Sequence, residues 1–336
     1  MEQERWLSAR DFQDAVAATS LLPGPASTQL AIFCARVAAG IKGAIVGGLA
    51  FIVPGFVFIV ALAALFLEHG NNKWIRGASA GAAAAVVVVV VCAGFGFARG
   101  FREVTGAQLV RTVAYAIAGG LATVFVGVWV LAVLLGCGLV EVAIRLRTPA
   151  ALAWAGPAAK LPALIWLAFK VGALSFGGGL VIIPLMQHDV VHSHHWLTNG
   201  QFSDAVALGQ LTPGPVVLTV SVVGYSVAGV AGAALAAVVA FAPSFAFVLA
   251  GAPYFDSLRT RPGPRAFLDG AGPAAVGAIF GAAVLLSPQA GKEWWQGLVI
   301  AACVGAALLR RSSFVMLVLG LVLGLLAAAI GLPLPR

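Results

Sequence analysis

Two short stretches inside long apolar runs carry the residues best suited to chemistry: Ser20-Leu21-Leu22-Pro23-Gly24-Pro25 and Gln210-Leu211-Thr212-Pro213-Gly214-Pro215. A proline in a helix interior removes a backbone donor and clashes with the preceding turn, at roughly 3 kcal/mol, so two prolines flanking a glycine break the helix. In hydrocarbon a broken helix is tolerated only where protein buries the freed backbone groups or a polar cavity hydrates them. A cavity at membrane depth is the first expectation. The helix that restarts after each break presents free N–H groups and the positive end of its dipole, a place where an anion fits. Beside the first copy stand Ser27, Thr28 and Gln29; beside the second stand Thr219 and Ser221, with Gln210 and Thr212 inside it. Hydroxyls and amides donate to an oxyanion without adding charge, which suits a site that must also release its ligand. The competing account is a structural kink with the hydroxyls bonded back to the helix.

A second candidate is Lys170, flanked by Phe169 and Val171 and five positions before Ser175-Phe176-Gly177-Gly178-Gly179. A lysine at the bilayer centre costs about 2.5 to 3.5 kcal/mol on insertion scales, so it calls for a partner or a snorkelling escape. The glycines can turn the chain and offer N–H groups in an anion-binding nest. Lys170 reads as a substrate counter-charge or as an interfacial anchor. Asp14 and Asp204 begin equivalent segments, so helix capping or dipole pairing competes with proton coupling at each. His188, His192 and His195 follow a helical spacing that could align three imidazoles on a metal, but their neighbours His194 and Trp196 suit an interfacial connection equally, and no metal site is assigned. Cys34, Cys92, Cys137 and Cys303 are far apart and form no CxxC pair, so they read as small apolar residues.

These residues must be positioned by helices in a membrane. The chain has 336 residues, of which 61% are hydrophobic and only 10% charged, with a mean hydropathy of +1.02. That lies far outside soluble domains and makes an all-α polytopic membrane protein, its partner the lipid bilayer. The net charge of +8 sits in short connections between apolar runs, where it orients helices and does not bind nucleic acid. The chain is also duplicated. Trp6, Leu7, Phe12, Asp14, Ala15, Val16 and Ala17 recur 190 positions on, as Trp196, Leu197, Phe202, Asp204, Ala205, Val206 and Ala207. After a one-residue deletion, Pro54 answers to Pro243 and Phe66 to Phe255. The division is a first repeat over 1–145, a linker over 146–160 and a second repeat over 161–336, the first copy of the Lys170 segment being absent.

Apolar segments are expected at about 13–36, 43–67, 77–98, 107–123 and 125–145, and at about 204–225, 227–250, 267–286, 294–309 and 313–331. The run Val86 to Val91 reads as helix, because an open strand could not pair its backbone in lipid. Gly43 with Gly47, Gly277 with Gly281 and Gly320 with Gly324 have the spacing that lets helices approach closely. Suppose each half crosses five times while the Lys170 segment dips in and returns. One face then holds thirteen basic residues, among them Arg36, Lys42, Arg99, Arg111 and Arg310, against six on the other. The richer face should be cytoplasmic, and the two halves should run in opposite directions. Inverted repeats with proline-broken helices and a midplane site are the signature of secondary transporters.

At these motifs the chain resembles the chromate ion transporter family. The resemblance rests on Phe169-Lys170-Val171-Gly172-Ala173-Leu174-Ser175-Phe176-Gly177-Gly178, on Gly209-Gln210-Leu211-Thr212-Pro213-Gly214-Pro215, and on Leu21-Leu22-Pro23-Gly24-Pro25 with Gln29-Leu30-Ala31. It implies export of chromate, with sulfate as the natural look-alike, by a multi-pass protein of the bacterial inner membrane driven by an ion gradient. Two-domain members begin with a first Phe-Gly-Gly segment that has no counterpart here. A passive anion channel of the same architecture is the main alternative; a membrane-embedded enzyme would need an acid–base pair or metal cluster at membrane depth, and only Asp14, Asp204, Glu141 and Asp269 come near that. No Walker-type Gly-Lys-Ser/Thr motif and no cofactor motif occurs. Whether the protein works as a homodimer is left open.

Overall fold

The computed structural model describes residues 24–68, 72–101, 104–125, 130–146, 160–175, 182–251 and 262–335. Asp14, Pro23, Phe176, Gly177 and Gly178 lie outside the described residues, as does most of the linker. The described chain is helical: α1 Ala26–Glu68, α2 Lys73–Ala98, α3 Ala107–Phe125, α4 Val130–Leu146, α5 Lys160–Leu174, α6 Ile182–Gln187, α7 Asn199–Leu211, α8 Thr219–Gly251, α9 Pro262–Ala290, α10 Trp294–Leu308 and α11 Ser313–Ala329. A π-helical turn, His188–Ser193, continues α6, and a 3-10 turn, Val216–Leu218, precedes α8. The valine run is helical in α2, with Val86, Val88, Val89 and Val90 buried. Among the described residues, five stretches are long and apolar enough to cross a membrane: Ala26–Glu68, Lys73–Ala98, Ala107–Phe125, Val216–Ala250 and Asp269–Ala290. Their outward faces carry exposed large apolar side chains such as Val46, Val57 and Val110, a surface for lipid.

The duplication is visible in the backbone. α1 and α8 are each two antiparallel arms joined at a sharp turn, where Ala39 and Gly40 take φ/ψ of −145/27° and 63/−152°, and Ala228 and Gly229 take −150/34° and 56/−146°. These pairs are 189 positions apart. Glycine serves there because the left-handed φ is open to it. The arms then meet closely: a Cβ on Gly43 would collide with the carbonyl of Ala35, and one on Gly232 with the equivalent carbonyl of Gly224. The one-residue difference between copies falls at the helix restart, where α1 begins directly after Pro25 and the second copy inserts its 3-10 turn.

The second Pro-Gly-Pro segment does not cross the membrane as expected for 204–225. Thr198 and Asn199, at the start of α7, share a cavity wall with Glu68 at the end of α1. Pro213, at the far end, packs against Gly55, thirteen residues earlier in α1. The chain then returns, because Tyr225 Oη donates to Glu68 Oε1 at 2.6 Å. The segment is re-entrant, and the 187–203 connection lies at the same end of the bundle as Arg76 and Lys292, which line the same cavity. The physical reason is the break itself: with helix hydrogen bonding interrupted and Gly214 at φ 129°, the chain turns back instead of continuing.

The two halves are interlaced. α2 of the first half packs against α10 and α11 of the second, and α9 of the second packs against α3 and α4 of the first, with α2 and α9 also touching. Two of the three glycine pairs sit at such approaches, while Gly43 and Gly47 meet Ala35 within the α1 hairpin. A Cβ on Gly320 would lie 2.6 Å from the carbonyl oxygen of Gly81, and Gly324 meets Gly77. Gly277 abuts the backbone of Ala116, and Gly281 abuts Thr123. Helices approach this closely only where no side chain intervenes, which is how membrane bundles gain van der Waals contact without a hydrophobic drive between helices.

Candidate functional site

The Pro-Gly-Pro turns are built in matching ways. Gly24 has φ 125° and Gly214 φ 129°, conformations that L side chains rarely adopt. Each turn rests on the proline-containing long arm of the opposite half. A Cβ on Gly24 would lie 3.1 Å from Ser244 Oγ, next to Pro243; a Cβ on Gly55, next to Pro54, would lie 2.5 Å from the carbonyl oxygen of Pro213. Gly55 and Ser244 are themselves repeat equivalents. The sequence reading passed over Ser244; its place after Pro243, opposite a glycine in the other copy, was the signal that could have marked it.

Buried polar atoms without a hydrogen-bond partner stand within a few residues of the turns in sequence (Thr28 Oγ1, Gln210 Nε2 and Ser221 Oγ), against the Gly24 turn (Ser244 Oγ) and at the end of the Lys170 helix (Ser175 Oγ). Thr28, Ser175, Ser221 and Ser244 are all fully buried, at 0% exposure. Leaving one such group unsatisfied costs about 1 to 3 kcal/mol, so each of them suits contact with a polar ligand. Gln29 packs its amide against Gly24, and Ser27 is exposed beside it. Thr212 and Thr219 behave differently. Thr212 Oγ1 donates to Leu208 O and Thr219 Oγ1 to Val216 O, both at 2.7 Å. Their protons are directed at their own helix, as the structural-kink account has it, and Pro213 and Gly214 are exposed while Pro215 is buried.

Lys170 is 8% exposed and ion-paired with Asp189, 7% exposed, with the Trp166 ring centroid 5.7 Å from its Nζ. It is therefore neither a lone cation nor a snorkelling anchor. Asp189 was missed in the sequence, although it is the one acidic residue between Lys160 and Ser203 and so the natural local partner of a buried lysine. Gly172, two residues after Lys170, packs on the backbone of Ala240, one turn before Ser244 in α8. A continuous set of contacts thus joins the Lys170 segment to the first Pro-Gly-Pro turn.

Asp204 does not cap its helix. The cap of α7 is Thr198, in a reciprocal capping box with Gln201, and Asp204 stands in the second turn. Its Oδ1 accepts from Ser79 Oγ on α2. It faces a polar cavity of about 780 Å³ whose wall includes Ser79, Arg76, Thr198, Asn199, Ser203, Gln289 and Lys292. Among the described residues none of the Pro-Gly-Pro motifs lines that cavity, which opens beside α7.

The other acidic candidates are committed to structure. Glu141, 1% exposed, accepts from Arg111 Nε at 3.1 Å, Arg145 Nε at 3.0 Å and Tyr115 Oη at 3.1 Å; Arg145 also pairs with Asp269 at 2.9 Å. The imidazoles do not share one helix face, because His195 has left the helix with φ 53° and His194 stacks on Trp196 at 4.6 Å. Among the described residues no group of three or more His, Cys, Asp or Glu side chains gathers to hold a metal.

A family model described as "Chromate transporter" matches residues 1–142 and 162–328. Among curated proteins, the "Chromate transport protein" of Cupriavidus metallidurans is 33% identical over 307 residues, covering 86% of this chain and 76% of the relative. The protein of the same description from Pseudomonas aeruginosa is 30% identical over 334 residues, covering 91% and 78%. The "Probable chromate transport protein" of Synechococcus elongatus is 30% identical over 308 residues, covering 86% and 77%. No solved structure matches the chain.

Proposed function

The chain belongs to the chromate transporter family, and from that membership we propose that it is a secondary transporter that exports chromate, with sulfate and similar tetrahedral oxyanions as competitors. The observation that carries the reading is the set of buried, unpartnered donors at Thr28, Ser175, Gln210, Ser221 and Ser244 beside two broken helices. With the restarted helix after Pro25 and the Lys170 ammonium, they supply what a dianion in a low-dielectric site requires: several oriented donors and a balancing cation. Gln29, Gly24 and Pro25 on one side, and Pro213, Gly214 and Pro215 on the other, hold the turns; Pro23, Phe176, Gly177 and Gly178, outside the described residues, are assigned to the same site from their motifs alone.

Two halves of opposite orientation give the site access from either face. In support, the turn at Gly229 follows Tyr225 at the Glu68 end of α1, while the turn at Gly40 follows Arg36, whose Nη1 donates to Val248 O and Leu249 O at the other end of α8. The end bearing Arg36 and Lys42 is the cytoplasmic one. Asp204, with Asp14 as its equivalent, is the proton site that couples transport to the gradient, reached through the cavity it faces.

Inverted membrane vesicles loaded with purified protein and given labelled chromate test this. Accumulation should be saturable, inhibited by sulfate, and raised by an imposed proton gradient. In Asp204→Asn vesicles chromate exchange should persist while the gradient loses its effect. Equilibration without accumulation, under every gradient, would mean a channel.

A further inference from the structure

Resting on the reading that Lys170 contacts the transported anion, we propose that Asp189 is an internal stand-in for that anion, holding Lys170 when the site is empty and yielding it when the site is loaded. A carrier must pass through an empty state in each cycle. A lone ammonium in hydrocarbon is strongly disfavoured there, so an empty site with Lys170 unpaired would resist the conformational change that returns it. Lys170 and Asp189 are buried together among apolar residues and ion-paired, which keeps the empty site neutral.

The surroundings suit exchange of partners better than a fixed strut. Asp189 sits on the π-helical turn His188–Ser193, a wide-turn element found most often at functional positions. Its second carboxylate oxygen, Oδ1, lies 3.9 Å from His188 Nδ1, so the carboxylate has another neighbour when Nζ is taken. On the lysine side, Ser175 Oγ is buried and without a partner five residues on, and Gly172 rests on Ala240 one turn from the equally unpartnered Ser244. Buried hydroxyls without partners thus stand at the end of the helix that carries Lys170 and on the helix it packs against. A purely structural ion pair does not explain those orphaned hydroxyls; a dianion that takes Nζ from Asp189 and accepts from Ser175 does.

Competition between an internal and a transported anion has a measurable signature. When the binding-competent state is only fractionally populated, apparent affinity falls by that fraction, and removing the competitor restores it. In Asp189→Asn, chromate should therefore bind more tightly, by about tenfold, as read from thermal stabilisation of the purified protein. Net chromate efflux from vesicles should fall, because the empty carrier now returns with an unpaired lysine, while chromate-for-chromate exchange should continue. If Asp189→Asn is poorly folded, chromate or sulfate present during extraction should restore its folded yield and chloride should not, since the oxyanion replaces the missing carboxylate. Unchanged affinity in a folded Asp189→Asn, or no rescue of an unfolded one, overturns the inference while leaving the anion site standing. The neutral pair Lys170→Met with Asp189→Asn should fold and show no stabilisation by chromate; wild-type transport by that pair would mean the ion pair is structural. Wild-type protein that chromate does not stabilise would overturn the underlying reading of Lys170, and the inference with it.

Discussion

At the scale of single residues, the two Pro-Gly-Pro glycines look alike in sequence but differ in what surrounds them. Both hold φ values closed to other residues, so Gly24→Ala and Gly214→Ala should each lose about 1 to 3 kcal/mol from backbone strain alone. The consequences then diverge. A Cβ on Gly24 would collide with the Gln29 amide and press on Ser244 Oγ, whereas one on Gly214 would meet nothing nearer than Phe51 O at 3.7 Å. Thermal melts with and without chromate should show Gly24→Ala losing its chromate-induced stabilisation and Gly214→Ala keeping it. Equal loss in both would mean that Ser244 is not a ligand. The same scale separates the hydroxyls: Thr212 and Thr219 are satisfied by their own helices, while Thr28, Ser175, Ser221 and Ser244 are not.

At the scale of elements, the prolines act by raising the energy of the straight helix, by roughly 3 kcal/mol for each interior proline. That penalty, with the left-handed φ of Gly214, sends the chain back toward Glu68 after Pro213 has reached Gly55. Replacing Pro213 and Pro215 together by alanine leaves Gly214 to make the turn but lets a continuous helix compete with it. The folded yield should survive, and transport per folded molecule should fall by more than about tenfold, a small part of what two lost prolines can shift. Chromate should stabilise the variant less than the native protein. A variant that folds, transports and is stabilised as before would show that the break serves packing alone.

At the scale of the molecule, the interlacing of halves makes one body of two repeats. Because α2 packs on α10 and α11, and α9 on α3 and α4, the main buried cluster among the described helices draws on both halves. Relative motion must then involve the hairpins and the Lys170 segment more than a separation of halves. The long arm of α1, residues 41–68, spans about 42 Å as a helix, more than the ~30 Å hydrocarbon core, so in the proposed arrangement its two ends reach opposite faces. The turn at Ala39 lies at one end of that arm and the turn at Ala228, near Glu68 through Tyr225, at the other, and the proposal assigns them to opposite faces. Ala39→Cys and Ala228→Cys, in a background with Cys34 and Cys92 replaced by alanine, should react with an impermeant maleimide from opposite sides of oriented vesicles. Ala39→Cys should label from the cytoplasmic face. Labelling of both from one side would contradict the inverted arrangement.

Composition, periodicity and the internal repeat were enough to determine an all-helical membrane protein, the break at the second Pro-Gly-Pro turn, the helix start after the first, and the glycine pairs at helix contacts. These follow from short-range physics: hydrocarbon demands helices, proline interrupts them, and glycine permits close approach and left-handed turns. The sequence also placed Thr28, Ser175 and Gln210 among the candidate donors, since each lies within a few residues of a break or of the Lys170 motif. What it could not decide is where a broken helix goes next, because a crossing and a re-entrant segment contain the same residues and differ only in which distant helix receives them. The contact of Pro213 with Gly55 and of Tyr225 with Glu68 made that choice. For the same reason the partners of charge escaped it: Asp189 beside Lys170, Ser79 beside Asp204 and Ser244 beside Gly24 join residues 19, 125 and 220 positions apart, and only the folded bundle brings them together.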